Sequence, residues 1–220
     1  MISKGAEMEE KIFESMKYLI SYPENFNEGA KYPVLFFLHG RGARSHSTEK
    51  LHNYPSLAHI RARQNERGFI FIAPHCASGN WSEWMMPLIH LVDHVRQLPY
   101  IDHTRLYLTG NSMGGYGTWG LAILRASYFA AAMPICGGGL PGMAGQIGAL
   151  PIRAFHGLCD KTVDPIESLQ MAKAVNQSGG HAELILFPEL AHNCWDRVYT
   201  DEQNYDWLFS FTSEREAPKA

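Results

Sequence analysis

The pentapeptide Gly110-Asn-Ser-Met-Gly114 lies between a β-prone run, Arg105 to Thr109, and a segment in which Tyr116, Trp119, Gly120 and Ile123 share one helical face. Strand, glycine-bracketed serine, helix is the pattern of a nucleophile elbow, Gly-x-Ser-x-Gly. A reactive serine has to stand clear of the backbone, so its residue sits on a sharp strand-to-helix turn. Flanking glycines let the helix and the neighbouring strands approach without side-chain collision. The helix that follows brings unpaired N–H groups and a positive dipole end beneath the hydroxyl. A chain built around such a turn needs an open sheet whose strands end beside one another.

The remaining segments supply that sheet. Residues 11–22 alternate and suggest one or two edge strands, followed by a loop from Pro23 to Gly29. Val34–Leu38 and Phe69–Ala73 are continuous apolar runs, as expected of strands covered on both faces. Helices are expected over 54–66 and from Met86 to Leu98. A further strand is expected from Phe129 to Cys136, and the segment from there to Ile152 reads as a loop. Ile152–Phe155 is a short strand, Ile166, Leu169, Ala172 and Val175 mark a helix, Leu184–Phe187 is the last strand, and Tyr205–Phe211 a closing helix. Strands alternating with helices give an α/β fold: a mostly parallel central sheet with helices on both faces. The chain reads as one domain, 1–220, with edge strands and a loop in 1–30 and a polar tail over 213–220.

Composition narrows the partners. A chain of 220 residues that is 45% hydrophobic buries a real core, and a net charge of -3 argues against nucleic acid or an anionic membrane. No apolar run approaches spanning length, and the acidic first ten residues lack the apolar region of a secretory signal, which points to a cytoplasmic address. Cys76, Cys136, Cys159 and Cys194 are too sparse for a disulfide framework, so reduced thiols are expected. No Gly-x-Gly-x-x-Gly follows the early strands, so no nucleotide cofactor is expected. His90 and His94 could share a helix face, but no third ligand stands near them, and no metal is expected there.

Sites in a parallel sheet form where loops leave the C-terminal strand ends. After Val34–Leu38 comes His39-Gly-Arg-Gly42, a tight turn able to aim backbone N–H groups at a substrate oxygen. The N–H groups of Arg41 and of Met113, the residue after the serine, are the expected oxyanion donors; His39 reads as a residue that ties the loop down. After Ile152–Phe155 comes a loop with two aspartates. Asp164, followed by Pro165 and Glu167, reads as a helix cap in a capping box, which leaves Asp160 as the acid. His192, beyond the last strand, completes the order Ser112, Asp160, His192. Trp81, Trp84 and Trp195 fall in loops on the same side and are candidates to line a substrate pocket. Cys159 and Cys194 flank the acid and the base closely, which suggests a thiol-sensitive site.

Five segments in this order carry a resemblance: His39-Gly-Arg-Gly42, Gly110-Asn-Ser-Met-Gly-Gly115, Phe129 to Gly138, His156-Gly-Leu-Cys-Asp160 and His192-Asn-Cys-Trp-Asp196. The chain resembles the serine esterases of the α/β-hydrolase superfamily, and among them the lid-less carboxylesterases related to polyhydroxybutyrate depolymerases, feruloyl esterases and prolyl-oligopeptidase-like peptidases. The resemblance spans residues 32 to 211. It implies an α/β-hydrolase fold without a large lid and hydrolysis of a small-molecule carboxylic ester through an acyl-enzyme on Ser112. A peptidase or thioesterase would use the same three residues, and a non-catalytic binding protein would be expected to lose one of them. Two departures could reshape the pocket: Val163-Asp164-Pro165 where the family usually has Val-Pro after the acid, and Ala191-His192-Asn193 where it often has Gly-His-Asp.

Overall fold

The computed structural model describes residues 7–213; residues 1–6 and 214–220 of the expected end segments lie outside the described residues. Among the described residues eight strands form one sheet in the order β1-β2-β4-β3-β5-β6-β7-β8: β1 Glu9–Phe13, β2 Met16–Ser21, β3 Tyr32–Leu38, β4 Ile70–Pro74, β5 Ile101–Asn111, β6 Ala131–Ile135, β7 Ile152–Gly157 and β8 Ala182–Phe187. β1 and β2 pair antiparallel at one edge, β2 joins β4 antiparallel, and the other pairings are parallel. The apolar run in β3 is continuous because both faces are covered. Val34, Phe36 and Leu38 face one core and Leu35 and Phe37 the other.

Among the described residues eight α-helices complete the layers: α1 Glu49–His52, α2 Pro55–Ala62, α3 Gln64–Arg67, α4 Met85–Arg96, α5 Met113–Arg125, α6 Ile166–Gln177, α7 Trp195–Thr200 and α8 Glu202–Phe209. α4, α5 and α6 bury Leu91, Trp119 and Met171 in the first core, while α2, α7 and α8 bury Leu57, Tyr199 and Leu208 in the second.

Four expectations change in detail. The helix expected over 54–66 is two helices broken at Arg63, and its end is set by Gly68 at φ 62. The segment between β6 and β7 is not only a loop: Pro141–Ile147 is a 3-10 helix, started by the fixed φ of proline. On α6 the buried residues are Ser168, Met171, Ala172 and Val175, while Ile166 and Leu169 stay exposed. Ser168 turns inward because its hydroxyl has buried partners, Gly137 O at 2.8 Å and His156 Nδ1 at 2.7 Å. The closing helix begins earlier, at Glu202, capped by Asp201 accepting from the Gln203 N–H. At the C-terminal side Ser213 is held, its N–H donating to Thr104 O at 2.8 Å.

Register brings the loops together. Sequence runs from β3 to β4 on one side and then to β5 on the other, so the connections diverge at β3 and open a crevice at its C-terminal end. Leu38 pairs with Gly110, so the turn after β3 and the turn after β5 start side by side. Asn111 pairs with Ile135 and Gly157 with Phe187, which brings the ends of β6, β7 and β8 to the same rim.

Candidate active site

Ser112 occupies φ 58, ψ -119, a region rarely open to a side-chain-bearing residue. Its N–H is held by Ile135 O at 2.9 Å, and its carbonyl already accepts from the Tyr116 N–H. The turn closes only because Gly110 and Gly114 have no side chain. A Cβ on Gly114 would lie 1.7 Å from Leu38 O, and one on Gly110 2.6 Å from the same oxygen.

The Ser112 hydroxyl lies 2.8 Å from His192 Nε2, and His192 Nδ1 lies 2.6 Å from Asp160 Oδ2. Asp160 Oδ1 accepts from the N–H groups of Thr162 at 2.8 Å and Val163 at 3.0 Å. Burial pushes the Asp160 carboxyl up, but the hydrogen bonds from His192, Val163 and Thr162 outweigh it and hold the group below the usual carboxylate range. An ionised Asp160 then fixes His192 with its proton on Nδ1, leaving Nε2 free to accept from Ser112. Asp164 is spent elsewhere: its carboxylate accepts from the Ile166 N–H at 2.9 Å at the start of α6. The reciprocal half of the expected capping box is absent from that turn, because the Glu167 carboxylate lies against Gly138.

Two buried groups near the site, His156 and Cys136, are given no role by the sequence. His156 sits behind the acid, its Nε2 3.2 Å from Asp160 Oδ2 and 3.0 Å from Val163 O. Cys136, at φ 47, places its Sγ 3.1 Å from His192 O and 3.0 Å from Cys194 Sγ. The Cys136 contact first, then burial, push the Cys194 thiol well up, which keeps it protonated; Cys159 is exposed. The Cys136 sulfur and the Asp160 and His192 ligand atoms lie within 4.8 Å of one another. An ion between Asp160 and His192 would need each ligand about 2.0–2.2 Å away, and their 2.6 Å contact is a hydrogen bond instead. His90 faces Glu14 at 3.0 Å and His94 stacks on Phe13 at 4.1 Å, so the pair shares no common ligand position.

The Gly40–Arg41 turn is tied down by His39. Its Nε2 accepts the Cys76 N–H at 3.0 Å, so the proton is on Nδ1, which donates to Gly40 O at 2.8 Å. Trp81 Nε1–H donates to His39 O at 3.0 Å and stacks edge-on against the imidazole. Burial lowers the His39 pKa from 6.5 to about 4. Between those values the unfolded chain binds a proton that the folded chain refuses, so this share of stability is complete above 6.5 and is lost as pH falls towards 4. Urea unfolding is expected to show a loss of about 3 kcal/mol from this residue over that window, with a shallower dependence in His39→Gln. A urea midpoint independent of pH would contradict it.

Arg41 and Met113 line the same cavity as Ser112 and His192, and Met113 is the first residue of α5, whose N–H has no partner inside the helix. The cavity encloses about 1160 Å³. Of the three candidate tryptophans, Trp81 and Trp195 form part of its wall, and the Trp195 ring stands edge-on to His192 at 5.3 Å. Trp84 does not reach it. Its indole N–H donates to Ser78 O at 3.0 Å, closing the loop that precedes α4. Sequence placed Trp84 on the right side of the sheet but could not give its direction.

No family model matches the chain. It is 25% identical over 168 residues to a probable feruloyl esterase C of Aspergillus terreus, covering 74% of this chain and 62% of that protein. To the probable feruloyl esterase C of Aspergillus niger it is 23% identical over 187 residues, 83% of this chain and 69% of that one. Among solved structures it superposes on a thermostable esterase with a TM-score of 0.81 and 27% identity, over 96% of this chain and 64% of the other. Est1E of Butyrivibrio proteoclasticus, at 15% identity and a TM-score of 0.69, shares the fold over 94% of this chain and 98% of its own. The chain thus spans about three-fifths of the first curated relative's length. Among the described residues no helix is long and apolar enough to cross a membrane.

Proposed function

We infer that this chain, which has the α/β-hydrolase fold, hydrolyses carboxylic esters through an acyl-enzyme on Ser112, with His192 as base and Asp160 as its orienting acid. The observation that carries this reading is the unbroken line from the Ser112 hydroxyl through His192 to Asp160, set on a strained turn at the mouth of a cavity. Strain at that residue fits a hydroxyl that must project from the backbone rather than pack.

His192 Nε2 takes the hydroxyl proton as Ser112 Oγ attacks the ester carbonyl carbon, and Asp160 stabilises the resulting imidazolium. The carbonyl oxygen becomes an oxyanion facing the N–H groups of Met113 and Arg41, each worth about 3 kcal/mol. The C–O bond to the alcohol breaks as His192 returns the proton to the departing oxygen. Water, deprotonated by the same imidazole, then attacks the acyl-enzyme and releases the acid and Ser112. Trp81 and Trp195 act as walls of the substrate cavity, and Trp81 also fixes the loop that carries Arg41. The substrate is a small-molecule ester.

Paraoxon, which phosphorylates an activated serine, tests this reading. One equivalent is expected to attach to Ser112, identified by peptide mass, and to abolish p-nitrophenyl butanoate hydrolysis in step with labelling. Labelling at another residue, or full turnover after one equivalent has bound, would refute it.

A further inference from the structure

The cavity does not stop at the serine. It is lined in turn by Ser112, Met113, Tyr116, Gly117, Gly120, Ile123 and Leu124, which follow one face of α5 from its first residue almost to its last. Leu124 lies just over three turns beyond Ser112, about 18 Å along the axis. Gly117 and Gly120 let neighbouring side chains sit close against α5. Trp81 packs against Gly117, and Met85 Cε is the nearest atom to a Cβ built on Gly120, at 2.9 Å.

The opposite wall comes from the segment between β6 and β7, where Leu140 and Met143 line the cavity. These side chains are 62% and 41% exposed, and Leu124 is 43% exposed. Three apolar groups around one groove leave a continuous oily strip open to water, which is the mark of a surface that something apolar covers. Among the lining residues Arg41 is the only Lys, Arg, Asp or Glu, and it stands at the other end, beside Ser112. Along α5 the lining carries no Lys, Arg, Asp or Glu, although the Glu167 carboxylate lies against Gly138.

We propose that this groove is the subsite for a linear hydrocarbon arm of the ester, about ten to fourteen carbons long. An extended chain advances about 1.2 Å per bond, so such an arm reaches from Ser112 to between Gly120 and Leu124. This rests on the reading of Ser112 as the nucleophile and adds the substrate class. The arm belongs either to the acid or to the alcohol, and the two are separated by experiment.

The test is kcat/KM for two series: p-nitrophenyl acetate, butanoate, octanoate and dodecanoate, which lengthen the acid, and ethyl, butyl, octyl and dodecyl acetates, which lengthen the alcohol. In one series the efficiency is expected to rise by about tenfold or more from the short to the long member, since each methylene taken out of water contributes roughly a factor of four. Gly120→Leu favours the helix, and its side chain leans toward Gly117 and across the groove. It is expected to cut the long-to-short ratio of kcat/KM by at least about tenfold. Leu140→Ser with Met143→Ser, both exposed and so harmless to folding, should lower the same ratio by a smaller factor. Serine-dependent turnover that favours acetate and ethyl acetate, or a long-chain preference that survives both variants, overturns the groove while leaving the esterase reading standing. A folded protein that hydrolyses no ester in either series overturns both.

Discussion

Ser112→Ala is expected to lower kcat for p-nitrophenyl esters by about a millionfold and to leave the fold intact. The hydroxyl touches His192 but holds no structural partner, so its removal costs no buried contact. Asp160→Asn should cost less, about ten-thousandfold, for a reason visible in the hydrogen bonds. The oxygen that accepts from Thr162 and Val163 survives in an amide, so the loop keeps its shape. The amide nitrogen would then donate to His192 Nδ1, forcing the proton onto Nε2, where it faces the hydroxyl it should accept from. In the proposed mechanism the three groups act as one unit, so the double variant should be no slower than Ser112→Ala alone. Steady-state kinetics on purified variants checks all three. The strained backbone gives an independent signal: Ser112→Gly should be about 1 kcal/mol or more stable than Ser112→Ala in urea unfolding, since only glycine is at ease at φ 58, ψ -119. The reverse order would mean the turn is not strained.

Gly114→Ala is expected to cost about 3 kcal/mol or more of stability and most of the activity that remains in the folded fraction. The new methyl would sit 1.7 Å from Leu38 O, 2.4 Å from Leu38 C and 3.0 Å from His39 O. All three are backbone atoms at the end of β3, so no side chain can move aside. The first turn of α5 must lift from the sheet, and lifting it separates the Met113 N–H from that of Arg41. Gly120→Ala is the contrast. Its nearest obstacle is the Met85 terminal methyl at 2.9 Å, which can rotate away, so that variant should keep wild-type stability within about 1 kcal/mol. Denaturant midpoints and kcat/KM of the two variants decide the matter, and equal behaviour would refute the packing argument.

Most of the architecture was legible because local rules and global fold agree here. The apolar runs in β3 and β4 needed two covered faces, and the alternation of strands and helices left a mostly parallel sheet as the consistent arrangement. Ser112, Asp160 and His192 could be chosen because each choice had a local reason: glycines around the serine, a competing duty for Asp164 at the start of α6, and a position past the last strand for His192. The Trp84 assignment went astray for the opposite reason. Which way a loop side chain turns depends on a partner, here Ser78 O, that sequence position does not specify. The buried face of α6 was misread in the same way, since Ser168 looks like a surface residue until His156 and Gly137 are placed beside it.

The sequence by itself determined the order of the main strands and helices and pointed to Ser112, Asp160 and His192, since strand and helix periodicity and the glycine-serine turn are properties of neighbouring residues. Only the tertiary structure decided what surrounds them. Cys136 meets Cys194 and His192, and His156 stands behind Asp160, because β6, β7 and β8 end at one rim. The groove exists because α5, Trp81 and Met85 before and at the start of α4, and Leu140 and Met143, some twenty residues beyond α5's glycines, line one space. A cavity is the space left between elements that are distant in sequence, and its shape is fixed by how those elements pack.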